Sequence, residues 1–436
     1  MTINTVTVLG ANGTMGRNVA AIFASFGNAK VYMVSRNIEK SQNAIEKAYE
    51  SVKAESIKAK MIAEDYDNLE RCVCDSDLVF EACAEDLSIK TDIHSRVSKI
   101  VSKNMLKGIV LCSGTSGLSI TSLADLYDEP YRECFVGMHF FNPPYNMTLC
   151  ELIPTSYTDK SVFSEIHHYL DKILYRTTVE VKDFPAFLGN RIGFQFINEA
   201  MQLAEKYKYN GGIDYIDAIL GSFTGRNMAP LATANFVGLD VHNAIVDNIY
   251  ENTNDYAHET FIMPSYAMQM VEEGKLGKKS GIGLYKTVLH ADGRKEHQVF
   301  DIDQKVYREV IKYNFPFVDE AIAALKVGNY SRAMDVIVNN HSNEAELCCQ
   351  MLLKYVVYSV KAALEVGFDI HSADDVMATG FGWCPPLAMV EAFGGKDTFI
   401  ALCKERIGVD KAMMDEIEKE IIQSKYDYRR YLKAKH

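Results

Sequence analysis

The sequence predicts an α/β chain, a doubly wound and largely parallel sheet domain followed by two all-α domains. Three observations predict it. Short β-branched runs alternate with helix-period segments through the first third of the chain. A glycine-punctuated turn, Gly10-x-x-Gly13-x-x-Gly16, lies between the first strand pattern and the first helix pattern. The remainder reads as apolar-periodic helices whose pattern occurs twice. The boundaries that follow are 1–183 for the sheet domain, 184–288 for the first helical domain and 289–436 for the second, repeat-like one.

Composition sets limits. With 48% hydrophobic residues, 436 residues suffice for several cores. A net charge of -12 argues against a general nucleic-acid binder. The chain has no run of about 18 uncharged apolar residues, so no membrane span is expected. The N-terminus enters a strand pattern at once, which leaves no room for a signal peptide. Cys72 and Cys74, like Cys348 and Cys349, are too closely spaced for a metal site; they read as reduced, buried thiols of a cytoplasmic protein.

The first strand is Thr5–Leu9 and the helix after the turn runs from Asn18 to Phe26. Between them, Gly10 permits the tight turn, Gly13 lets backbone approach a pyrophosphate and Gly16 lets helix and strand pack closely; Asn12, Thr14 and Met15 complete the loop. This is a Rossmann-like signature, one residue longer than G-x-G-x-x-G. The second strand, Lys30–Val34, ends in Ser35-Arg36-Asn37. No carboxylate stands there to repel a phosphate, and arginine binds one, so NADP(H) is favoured over NAD(H). Ile38 to Ala63 reads as one long polar helix carrying Lys53 and Lys58. Asp77–Glu81 is a strand, Ile89–Val101 a helix and Gly108–Ser113 a strand. Ligands of such sheets sit at the carboxyl ends of strands, where Glu85, Ser116 and Asn142 fall.

Val136 to Phe141 is a buried strand ended by Asn142-Pro143-Pro144, and Met147 to Ile153 is a second apolar run. Two adjacent strands bring His139 and Glu151 face to face. A carboxylate beside a histidine fixes the ring tautomer and makes a proton acceptor or donor near neutral pH. The alternative is a core histidine bonded to a backbone carbonyl. Further on, Phe184–Lys206 is a helix carrying Asn190, Lys275–Tyr285 a glycine-rich loop, His290–Lys305 a polar surface loop and Ala345–Phe368 a helix. The tail from Lys425 reads as a short terminal helix. Ser372 to Ala388 is similar to Ile216 through Ala232, which makes the second helical domain a copy of the first.

Several motifs occur in order: the glycine loop, Glu81-Ala-x-x-Glu85, Thr115-Ser-Gly-Leu-Ser, Gly137-Met-His-Phe-Phe-Asn-Pro, Glu151, Asp183-Phe-Pro-Ala-Phe-Leu-Gly-Asn190-Arg and Lys275-Leu-Gly-Lys-Lys-Ser-Gly. Together they resemble the 3-hydroxyacyl-CoA dehydrogenase family, including bacterial 3-hydroxybutyryl-CoA dehydrogenases, over roughly the first two thirds of the chain. The resemblance implies that His139 is the general acid/base, that Glu151 orients it, and that Ser116 and Asn190 bond the reacting oxygen. It implies that Glu85, Lys90, Asn142 and Lys279 line the dinucleotide, and that CoA lies near Lys53 and Lys58. Gly114 departs from it, standing where the family has asparagine.

The expected function is interconversion of a short-chain L-3-hydroxyacyl-CoA and its 3-oxo form, within fatty-acid or butyryl-CoA metabolism. The partner is the acyl-CoA substrate, and the state a monomer or homodimer. Two rivals stand beside it: a hydroxy-acid dehydrogenase that does not use CoA, and an inactive nucleotide-binding sensor or scaffold.

Overall fold

The computed structural model describes residues 2–290 and 292–435. The chain forms two compact units. The first runs to Phe187 and takes in Val366–Phe368; the second holds Leu188–Glu365 and the residues from Asp369 onward.

The first unit is built on eight strands: β1 (Thr5–Leu9), β2 (Lys30–Ser35), β3 (Met61–Asp65), β4 (Leu78–Glu81), β5 (Val110–Ser113), β6 (Phe135–Phe140), β7 (Leu149–Pro154) and β8 (Thr177–Glu180). Their spatial order is β3-β2-β1-β4-β5-β6-β7-β8. Pairing is parallel from β3 through to β6, antiparallel between β6 and β7, and parallel between β7 and β8. The central strands are buried along nearly their whole length, as expected where helices cover both faces of a parallel sheet. Helix α1 (Thr14–Ser25) follows β1, α2 (Ile38–Val52) follows β2 and α3 (Leu87–Lys103) follows β4.

Three expectations about this unit change. Helix α1 starts at Thr14, because the turn feeds the helix directly through Gly13, its extended N-cap residue. The long polar helix stops at Val52, where Lys53 adopts left-handed φ 55. A one-turn helix, Glu55–Lys58, and the edge strand β3 occupy the rest of that segment. Only Met61 and Glu64 of β3 are buried, so an edge strand with an acidic end left no apolar alternation to read. Cys74 is exposed, whereas Cys72, Cys348 and Cys349 are buried.

The second unit is mainly helical. In α4 (Gly189–Lys206) 14 residues are buried, and that leaves little polar face. Helix α5 (Asn343–Val366) is long and apolar enough to cross a membrane, yet 72% of its apolar window is buried inside the protein, as in a core helix. The expected loop after Leu289 is instead part of an antiparallel sheet of β9 (Tyr285–Leu289), β10 (Lys295–Asp301) and β11 (Val306–Glu309). Only Val299 and Phe300 of β10 are buried, and the strand is otherwise polar, which is why composition read as a loop. The tail holds one short 3-10 turn, Tyr428–Arg430, in place of a terminal helix.

Candidate active site

The glycine turn is shaped by contact. Gly10 has φ +74, and a Cβ added there would lie 2.6 Å from the Ala82 carbonyl oxygen. A Cβ at Gly16 would lie 2.6 Å from the Gly10 oxygen, so the helix approaches the turn as closely as backbone allows. Gly13 caps α1 without a side-chain bond, and the first turn of α1 holds no acidic residue. Uncapped N–H groups at the positive end of a helix dipole fit a pyrophosphate. Asn12 and Thr14 are exposed beside this end and Met15 is half-buried.

At the end of β2 the predicted pair divides. Ser35 is buried, its hydroxyl donating to the Asn37 carbonyl at 2.9 Å and lying 2.8 Å from the Ser41 hydroxyl, so it shapes the turn. Arg36 is exposed. Asn37 caps α2 by accepting from the Lys40 amide at 2.9 Å.

At the ends of β4 and β5 lies a charged cluster. The Glu85 carboxylate accepts from the Ser116 amide at 2.7 Å and from the Thr115 hydroxyl. Lys90 of α3 has a side chain only 1% exposed; its Nζ lies 2.9 and 3.0 Å from the two oxygens of Glu81 and 3.4 Å from Glu85. The carboxylates on both sides keep this ammonium charged above its ordinary range against the opposing effect of burial. Burial opposes ionisation of Glu81 too. The facing His94 ring, the Lys90 charge and the Ser113 hydroxyl outweigh it and hold this carboxyl at about 2. The motifs that begin at Glu81 and Thr115 gave these two residues no role of their own; a buried acid ending a strand is the signal that was available for the first.

Asn142 follows β6, is exposed, and accepts from the Asn18 amide of α1 at 3.4 Å, beside the same helix as the glycine turn. His139 and Glu151 are directly paired across β6 and β7. Nδ1 of His139 lies 2.7 Å from Oε2 of Glu151, with side chains 6% and 0% exposed. The partner is therefore the carboxylate and not a backbone carbonyl. With Nδ1–H donated to Glu151, Nε2 becomes the free acceptor of the ring. The ring packs on Phe141 (centroids 4.6 Å) and Phe187 (5.5 Å). Ala186 and Phe187 both adopt left-handed φ, 60 and 54. Neither ring contact nor backbone conformation was visible in the sequence.

Gly114 has a local cause. A Cβ there would lie 2.6 Å from Cζ of Phe80 and 3.1 Å from the Glu81 oxygen. The Phe80 ring, packed edge-on against Phe23 and Phe140, fills the space a side chain at 114 would need.

The remaining predicted residues are elsewhere. Asn190 is the second residue of α4 in the second unit and is buried. Lys279 of the second unit donates to Asp240 at 2.6 Å. In the first unit Lys53 is exposed, whereas Lys58 pairs with Glu46 at 2.7 Å and sits over the Tyr49 ring.

Known proteins bear out the expected family. The model of the 3-hydroxyacyl-CoA dehydrogenase NAD binding domain matches residues 5–184, and that of the C-terminal domain matches residues 187–287. A probable 3-hydroxyacyl-CoA dehydrogenase of Deinococcus radiodurans is 32% identical over 301 residues, 66% of this chain and 83% of its own. A probable 3-hydroxyacyl-CoA dehydrogenase of Bacillus subtilis is 29% identical over 352 residues, 78% of this chain; the chain spans 42% of that relative's length. The structure of 3-hydroxybutyryl-CoA dehydrogenase from Escherichia coli K12 superposes with a TM-score of 0.69 at 19% identity, covering 96% of this chain and 99% of its own, a likeness of fold.

Proposed function

The chain belongs to the 3-hydroxyacyl-CoA dehydrogenase family, and from that premise we propose that it interconverts short-chain L-3-hydroxyacyl-CoA and 3-oxoacyl-CoA, with His139 as general acid/base. The observation that carries this reading is the 2.7 Å contact between His139 Nδ1 and Glu151 Oε2, buried in a paired position of two strands.

In the oxidation direction Nε2 of His139 takes the hydroxyl proton of the alcohol. Glu151 holds the ring in the tautomer that leaves Nε2 free and supplies the counter-charge once the proton is on the ring. The aromatic walls of Phe141 and Phe187 keep the ring oriented and limit water around it. Ser116, on the turn fixed by Glu85, donates to the oxygen as charge develops there. The role of Asn190 as a second donor rests on the family match.

A nicotinamide dinucleotide, when bound, supplies or accepts the hydride. Gly10, Gly13 and Gly16, the uncapped start of α1, Asn142 and Glu85 are the residues that would hold it. Arg36 is exposed at the end of β2, and although β3 sets Asp65 opposite Ser35, no acid follows Val34 within β2 itself, which supports NADP(H) as the preferred form. Lys53 and Lys58 are the proposed partners of CoA phosphates; Lys58 would have to leave Glu46 to serve.

Initial rates of acetoacetyl-CoA reduction with NADPH and NADH, in wild type and His139→Ala, test the reading. Wild-type turnover with loss of about 10²–10⁴-fold in the variant is expected. Nucleotide binding without turnover of any acyl-CoA would overturn it.

A further inference from the structure

Glu81 lies outside every residue so far given a role in the reaction. It ends β4, its side chain is fully buried, and it gathers four groups from different parts of the first unit. Lys90 Nζ reaches both of its oxygens at 2.9 and 3.0 Å. The Ser113 hydroxyl at the end of β5 donates to it at 2.6 Å, from the position paired with Glu81 in the sheet. The Cys83 amide donates to it from the next turn. His94 Nε2 faces it at 3.5 Å.

The chain of contacts continues upward. Lys90, held by Glu81, stands 3.4 Å from Glu85. Glu85 in turn receives the Ser116 amide and the Thr115 hydroxyl, and Thr115 Oγ1 accepts the Leu118 amide at 3.0 Å, which closes the turn that carries Ser116. Carboxylate, ammonium and carboxylate thus form one series from the buried end of β4 to the reactive turn after β5. A buried charge with several partners has one low-energy arrangement, and groups tied to it inherit that precision.

On the reading that the nicotinamide end of the cofactor lies against this turn, we propose that Glu81 is a positioning residue for the reaction: through Lys90 it sets the place of Glu85, and through Glu85 that of Ser116. It touches neither cofactor nor substrate. Without Glu81, Lys90 has only Glu85 to pair with, draws that carboxylate inward, and the Ser116 turn loses its anchor.

The test is a double-mutant cycle on the full chain, with variants E81Q, E85Q and E81Q/E85Q. Reduced-nucleotide binding is read by fluorescence without acyl-CoA, and kcat is read separately with acetoacetyl-CoA. If Glu81 acts through Glu85, E81Q weakens nucleotide binding by about tenfold and the double variant is no worse than E85Q within about twofold. Independent, multiplying losses would mean a general structural role and overturn the proposal, as would unchanged binding in E81Q. Should E81Q fail to fold, Glu81→Asp keeps the charge and draws it back from Lys90 Nζ. It is expected to weaken binding about threefold, a loss that vanishes in the E85Q background; a loss that persists there overturns the proposal. Because binding is measured without acyl-CoA, a failure of the substrate assignment leaves this test intact. Failure of wild type to bind either reduced nucleotide overturns both.

Discussion

Asp217 and Asp374 perform the same task in the two halves of the helical unit. Asp217 accepts the amides of Leu231 and Ala232 at 2.8 and 2.9 Å, at the start of the helix Pro230–Val237. Asp374 accepts the amide of Leu387 at 2.8 Å, at the start of the helix Pro386–Ala392. Each also receives a hydroxyl from a later segment, Tyr285 in the first case and Ser424 in the second. The similarity of the two sequence segments thus extends to one capping arrangement, a carboxylate over the first turn of a proline-led helix.

These two carboxyls give a pH dependence of stability. Burial pushes Asp217 up to about 7 and Asp374 up to about 6, against the hydrogen bonds they accept. The folded state then holds protons that the unfolded state releases from about pH 4 upward. Stability from these groups is therefore greatest below about pH 4 and falls as pH rises to about 7. Relative to wild type, Asp217→Asn should gain stability as pH is raised from 4 to 7.5, and Asp374→Asn should do so over a range ending about one unit lower. Urea midpoints at several pH values check this; variants that track wild type at all pH values would contradict it.

Glu151→Gln keeps the size of the side chain and removes its charge. We expect kcat to fall by about 10²–10³-fold with nucleotide binding changed less than about threefold, because the proton step and not the cofactor depends on the pair. Single-turnover rates alongside fluorescence titration separate the two.

Arg36→Ala addresses cofactor choice. Loss of a charge-assisted bond to a ribose phosphate should lower kcat/KM for NADPH by about tenfold and leave NADH within about twofold. Equal effects on both would show that Arg36 does not meet the phosphate, and a wild type that prefers NADH would reject the NADP(H) reading itself.

Gly114→Asn should be destabilising by about 1–3 kcal/mol, since its Cβ would meet the Phe80 ring at 2.6 Å. Phe80→Val opens a cavity by itself but should relieve much of that clash, so the double variant is expected to be more stable than the sum of the single effects predicts. Thermal melts of the four proteins measure the coupling.

Much of the candidate site was legible in the sequence because it is local. Strand period placed His139 and Glu151 on facing strands, and the proline pair after Asn142 marked where one strand stopped. Gly10 and Gly16 were legible because a Cβ at either would lie 2.6 Å from backbone oxygen, and Gly10 also has φ +74; Gly13, at φ -70, is under less constraint. The edge strand β3 and the sheet after Leu289 were not, since half-exposed strands with charged faces lack the alternation that identifies a strand.

By itself the sequence determined the strands β1, β2, β4, β5 and β6, the glycine turn, the His139–Glu151 pairing and the likeness of the segments around Asp217 and Asp374. Each of these rests on spacing within a short stretch, which backbone geometry converts directly into position. Only tertiary structure decided that Ser35 turns inward, that Lys90 is buried between two carboxylates, that Phe80 excludes a side chain at 114 and that Phe187 presses on the His139 ring. Those outcomes depend on which groups from distant segments compete for the same buried volume and the same hydrogen bonds, and that competition exists only once the chain has packed.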